Sequence, residues 1–218
     1  MKIAINKAHF PVSVLGPGRR IGIWTQGCRI HCKGCVSQDT WATDPSRETT
    51  VARLLAWCRQ AAVAGLDGVT ISGGEPFDQP RALSALLDGL HAWRNDAALD
   101  FDILCYSGYP LAVLQKRHAP LLAKLDALIP EPFVESQPLT HLWRGSGNQK
   151  LVALSERGRA RFEPYVDAAA DAFGKRIQAG VDGQKVWFIG IPARGDMAAL
   201  ETLCAERGVD FAKASWRQ

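Results

Sequence analysis

The 218-residue sequence has little of what would mark a membrane, disordered or disulfide-stapled protein. No stretch approaches the roughly 18 consecutive apolar residues of a membrane span. Residues 1–15 carry charges and Pro11, which argues against a secretion signal. Charge of one sign is scarce too: 26 Lys and Arg against 22 Asp and Glu leave a net charge of +4. The basic residues are scattered, with no dense tract to follow a phosphate backbone, so neither nucleic acid nor a membrane is an expected partner. A mildly positive surface suits at most an acidic electron-transfer protein. Low-complexity runs and internal repeats are missing. With 47% apolar and 22% charged residues, what remains is a soluble globular chain, expected in the cytoplasm.

Six cysteines are present, and a reducing compartment makes them a poor disulfide framework. Cys58, Cys105 and Cys204 stand alone in apolar periodic stretches, where a thiol serves as a small core hydrophobe. Cys28, Cys32 and Cys35 are different, because they fall within one short loop beside Gly27 and Gly34.

Strand-like and helix-like runs alternate along most of the chain, which is the order of parallel strands joined by crossover helices. The expected class is α/β. Strands are expected at 21–25, 68–72, 101–106, 126–129, 150–154 and 186–189. A helix is expected over 50–64, with Val51, Leu54, Leu55, Cys58 and Ala62 on one face and Gly65 as its stop. A second runs over 79–93, with Leu83, Leu86, Leu87 and Leu90 at helical spacing and Pro80 tolerated in its first turn. A short helix is expected at 111–117 and another helix over 155–173, then a last one capped by Asp196, with a polar loop at 135–149 and an extended piece at 209–211. The unusual residues follow the first three strands: 27–35, Gly73-Gly74-Glu75-Pro76, and Ser107-Gly108-Tyr109. In such sheets ligands sit at the carboxyl ends of the strands, so the three loops are expected to share one site.

Three thiols this close point to a metal, since clustered exposed thiols are otherwise an oxidation liability. A structural zinc ion needs four protein ligands; His31 is awkwardly placed between two of the cysteines and no second Cys/His pair follows, but zinc stays open as the competing reading. A [4Fe–4S] cubane held by three thiolates keeps one iron open for a substrate or cofactor. The spacing of three residues and then two resembles that of the radical S-adenosylmethionine (radical SAM) superfamily. Gly73-Gly74-Glu75-Pro76, about forty residues on, looks like that superfamily's motif for the methionyl amine: glycines for close approach and a carboxylate for a cation.

Within the superfamily the sequence resembles the activases of glycyl-radical proteins, above all that of anaerobic ribonucleotide reductase. The likeness is carried by Gly16-Pro17-Gly18-Arg19-Arg20, Gln26-Gly27-Cys28, Thr40-Trp41, Ser107-Gly108-Tyr109 and the segment from Trp143 to Lys150. It covers roughly residues 3 to 154. It implies a single domain over 1–218, a partial (βα)6 TIM-like barrel of parallel strands, with 155–218 completing or extending it. It implies a cluster on Cys28, Cys32 and Cys35, and SAM against Gly73, Gly74, Glu75 and Pro76, with Ser107 placed for a ribose or carboxylate contact. The chemistry would be reductive cleavage of SAM to a 5′-deoxyadenosyl radical, fed by a flavodoxin- or ferredoxin-like donor. The hydrogen atom would come from a glycine α-carbon of a partner protein. A peptide or small molecule as substrate, and a non-catalytic zinc- or cluster-binding adaptor, are the alternatives. Two departures bear on the partner: Ser37 stands where the family commonly has Asn, and Pro130-Glu131-Pro132-Phe133 where it has Asp-Gly-Pro-Phe.

Overall fold

The computed structural model describes residues 1–172, 174, 176–183, 185–211 and 213–217. A seven-stranded sheet is built from β1 (Lys2–Val12), β2 (Arg20–Thr25), β3 (Glu48–Thr50), β4 (Gly68–Gly73), β5 (Asp102–Tyr106), β6 (Ala127–Ile129) and β7 (Val152–Ala153). Its order is β3-β1-β2-β4-β5-β6-β7. The run β2-β4-β5-β6 is parallel, whereas β1 pairs antiparallel with β2 and β3, and β7 antiparallel with β6. The fold is thus mixed α/β around a largely parallel sheet.

Crossovers between the parallel strands are α1 (Val51–Ala61), α2 (Pro80–Asp96) and α3 (Leu111–Leu122). Thr50 caps α1 by accepting from the Arg53 N–H, and Pro80 opens α2 where a missing donor costs nothing. Alternation along the strands separates two faces. Ile21, Ile23, Val69, Ile71, Ile103, Cys105 and Leu128 pack under the helices with Leu54, Cys58, Leu86 and Leu90.

The opposite face carries Arg20, Thr70 and Asp102, aligned through the register Arg20↔Gly68↔Asp102. Arg20 and Asp102 form an ion pair at 2.5 Å with both side chains 0% exposed, and Arg20 also donates to Thr70 Oγ1 and to the Pro17 and Val69 carbonyls. Every charge buried there is hydrogen-bonded, the condition on which such a pair is tolerated. Beside it Leu104, Ile129, Leu142, Trp143, Leu151 and Phe162 form a second core.

The later part of the chain differs from expectation. β7 has only two residues and runs antiparallel, and the strand expected at 186–189 belongs to a separate hairpin, β8 (Ile177–Asp182) and β9 (Lys185–Gly190). The helix expected over 155–173 is α4 (Glu156–Phe162), followed by a 3-10 turn at Glu163–Tyr165, because Pro164 cannot donate to a continuing helix. Phe173 of that expectation lies outside the described residues. The last helix, α5 (Asp196–Ala205), is preceded by Gly195 at φ 89°, so Asp196 is its first residue and not its cap. Its Oδ2 accepts instead from the Ala193 N–H and from Arg176. Cys58 and Cys105 are buried as expected, and Cys204 on α5 is half-buried.

Candidate functional site

The loops after β2, β4 and β5 meet at the carboxyl rim of the parallel strands. The cysteine loop turns through Gly27 (φ 96°), His31 (φ 51°) and Gly34 (φ 76°), and His31 is steadied by stacking on Trp41 at 4.7 Å. Gly73 and Gly74 serve a contact that sequence alone does not reveal. A Cβ at Gly73 would lie 2.4 Å from the Thr25 nitrogen, and one at Gly74 2.2 Å from the Gly27 carbonyl oxygen. The close approach they permit is therefore to the backbone leading into the cysteine loop. Two hydrogen bonds seal it, Gly74 N–H to the Thr25 carbonyl and Glu75 N–H to the Gly27 carbonyl, both 2.8 Å.

Cys28, Cys32 and Cys35 are free, half-buried thiols that line one cavity. Burial pushes all three pKa values up; Cys28 is raised further by the charges of Glu75 and Cys35, and Cys32 by those of Cys35 and Cys28. Backbone N–H groups pull the other way: those of His31 and Ile30 lower Cys28, that of Phe133 lowers Cys32, and that of Ser37, which donates to the sulfur at 3.4 Å, lowers Cys35. Three thiols in one loop, close enough for their charges to raise the pKa of Cys28 and Cys32, are a soft donor set, which gives up its protons when a cation completes it. Among the described residues, no three His, Cys, Asp or Glu side chains converge on a point that would hold a single metal ion. A [4Fe–4S] cluster takes its thiolates on separate irons, so it does not require the three sulfurs to converge on one point.

Glu75 is 1% exposed and faces the same cavity. Its Oε1 accepts from the Phe77 N–H (3.0 Å) and the Ser107 hydroxyl (2.9 Å), and Oε2 from the Gly108 N–H (2.8 Å). Burial outweighs these bonds and pushes its pKa up to about 7. Pro76 is buried and opens a 3-10 turn, Pro76–Asp78. Ser107 is already engaged, donating to Glu75 and accepting from the Tyr109 N–H at 3.1 Å, so it joins two loops together. Tyr106 donates to the Trp143 carbonyl and Asn148 to the Pro132 carbonyl, which gives both a packing or turn role.

Sequence reasoning missed Asp78, whose carboxylate accepts from the Arg29 N–H (3.1 Å) and the Tyr109 hydroxyl (2.7 Å). An acid in the turn before a helix reads as a cap, which hid a residue that links all three loops. It missed Gln79 as well, which bonds both the N–H and carbonyl of Ala4 and the Gln26 carbonyl. The cavity measures about 1000 Å³, the upper end for ligand sites. One wall was not foreseen: Arg176, Phe188 and Ile191 around the hairpin, Glu201 on α5, and Ser215 and Trp216 beyond it.

A family model described as a 4Fe-4S single cluster domain matches residues 14–152, the stretch that carries the cysteine loop and its two companion loops. The anaerobic ribonucleoside-triphosphate reductase-activating protein of Vibrio cholerae is 33% identical over 148 residues, which cover 66% of this chain and 94% of that protein. The protein of the same name from Haemophilus influenzae is 32% identical over 149 residues, covering 65% of this chain and 92% of its own length. The pyruvate formate-lyase-activating enzyme of Staphylococcus epidermidis is 37% identical over 122 residues, covering 54% and 47%. The chain belongs to the 4Fe-4S single cluster family and, within it, to the radical SAM activating proteins.

Proposed function

We propose that this chain is a radical SAM activase that generates a glycyl radical on a partner protein of the anaerobic ribonucleotide reductase type. Cys28, Cys32 and Cys35 would hold the [4Fe–4S] cluster, and SAM would lie against Gly73, Gly74, Glu75, Pro76 and Ser107. When bound, the two cofactors supply one-electron cleavage of the sulfonium and, through a 5′-deoxyadenosyl radical, hydrogen-atom abstraction. The chain's own residues position and shield. N–H groups of the cysteine loop favour the thiolate form of its sulfurs. The bonds from Gly74 and Glu75 keep the two cofactor loops in register. Among the described residues Oε2 of Glu75 accepts a single bond, from the Gly108 N–H, which leaves a lone-pair site for an amine. A flavodoxin- or ferredoxin-like protein is the proposed electron donor. The parallel strands are read as the centre of a partial (βα)6 TIM-like barrel in one domain, 1–218, which 155–218 extends.

The supporting observation is that the three thiols share one cavity with Gly73, Gly74 and Glu75. Anaerobically reconstituted protein should carry about four irons per chain and convert SAM to deoxyadenosine when given a reductant. Alanine at any of the three cysteines should lower the iron content and abolish that conversion. Electron paramagnetic resonance of the mixture with a candidate partner should then show a protein-centred glycyl radical. A colourless zinc protein would overturn the reading. A peptide or small-molecule substrate is the second reading, favoured by the extra wall from the hairpin, α5 and residues 215–217; deoxyadenosine formed without any partner radical would select it.

A further inference from the structure

The stretch after α5 returns to the cysteine loop. The Ser215 carbonyl accepts from the Gln38 N–H at 2.8 Å and the Asp39 N–H at 3.4 Å, and the Ser215 hydroxyl donates to the Val36 carbonyl at 3.1 Å. Residues 36–39 begin directly after Cys35. From the other side, Glu201 on α5 accepts from the Trp216 indole N–H and forms an ion pair with Arg217 at 2.6 Å. The Trp216 ring meets Phe188 and Phe211 edge-on at 6.2 and 5.9 Å. Ser215, Trp216, Arg217 and Glu201 line the cavity that also contains the three cysteines.

We propose that residues 213–217 are a strap closing the cavity over the cysteine loop, and that Trp216, held by Glu201, is the residue that limits what reaches the reacting centre. This rests on the activase reading above. The strap contributes no strand to a sheet; it is held by a few hydrogen bonds, one ion pair and two edge-on aromatic contacts, so it opens at far lower cost than the fold behind it. A carbon-centred radical needs its chamber dry and free of oxygen until the right hydrogen donor arrives. The occupant that takes the strap's place is an extended segment of the partner polypeptide. Its main-chain carbonyl accepts the Gln38 and Asp39 N–H groups that Ser215 engages otherwise. Closed, the strap suppresses SAM cleavage without a partner; displaced, it admits a peptide backbone to the centre.

Full-length protein, wild type and Glu201→Ala, gives the test. Alanine is a favourable helix residue, so α5 persists while both latch contacts go. Reconstituted Glu201→Ala should keep the wild-type iron content. Its cluster should bleach in air several-fold faster, and SAM cleavage without a partner should rise several-fold. Unchanged bleaching and unchanged partner-free cleavage in an iron-replete variant would overturn the strap. Trp216→Ala should behave alike, and if that variant fails to fold, Glu201→Ala decides. A wild-type protein that takes up no iron would sink the activase reading alone. The strap is then judged by hydrogen exchange of the Gln38 and Asp39 amides in the cofactor-free protein: faster exchange in Glu201→Ala supports it, and equal exchange refutes it.

Discussion

At the scale of one side chain, the Glu75 carboxyl accepts three hydrogen bonds, yet burial holds its pKa at about 7 against an ordinary 4.5. Desolvation of the charged form exceeds what the donors return, an imbalance that suits a group awaiting a cation. Linkage gives the sign. Below about 4.5 both the folded and unfolded chains hold the proton, and between about 4.5 and 7 only the folded chain does. The stabilisation from a protonated Glu75 is therefore full below about 4.5 and gone once the pH has risen past about 7. Its size is on the order of 3 kcal/mol. Urea unfolding of the cluster-free protein at mildly acidic and mildly alkaline pH should show wild type losing stability relative to Glu75→Gln across that window. Parallel pH profiles for the two proteins would refute the assignment.

At the scale of an element, the 3-10 turn Pro76–Asp78 is what joins the three loops. Glu75 precedes it and bonds the loop after β5, and Asp78 ends it by bonding both Arg29 of the cysteine loop and Tyr109. Asp78→Ala removes one exposed and one part-buried hydrogen bond, a cost of roughly 0.5–1.5 kcal/mol each. Iron occupancy after anaerobic reconstitution should fall with it, because the residue next to Cys28 loses its tether. Tyr109→Phe removes one of the two bonds and should give an intermediate loss in both urea unfolding and iron count; full iron occupancy in Asp78→Ala would show the tether to be unnecessary. The sequence revealed the cysteines and the Gly-Gly-Glu-Pro loop because their chemistry is local, and it placed α1, α2, β4 and β5 within a few residues because their apolar spacing is strict. Tethers such as Asp78 and Gln79 act across 49 and 75 residues, and no periodicity records that. β1 went unseen for a related reason: flanked by strands on both sides and half-buried along most of its length, it shows no clean alternation.

Over the whole molecule, the question is whether residues beyond the family match are an appendage or part of one cooperative body. Strand direction could not be read from the sequence, since it depends on which neighbour a strand finds, and the hairpin β8–β9 is the case in point. Burial answers for α4. Phe162 is 0% exposed, meets Trp143 edge-on at 6.2 Å and lies under the Arg20 guanidinium at 5.7 Å, next to the buried Arg20–Asp102 pair. Gly158 packs so closely that a Cβ would stand 1.7 Å from the Asp126 carbonyl oxygen. A segment seated this way shares its core with β5 and β6 and should unfold with them. Phe162→Ala should then cost about 3–5 kcal/mol and move a single transition, seen alike by tryptophan fluorescence and far-UV circular dichroism. Two separate transitions, with only the minor one shifted, would show that 155–218 is a domain of its own. The hairpin is tied to the same body through Ile189, which packs on Val12, Leu15 and Trp24. One transition would therefore mean that the cavity wall is as stable as the sheet behind it, which leaves the strap at 213–217 as the part free to open.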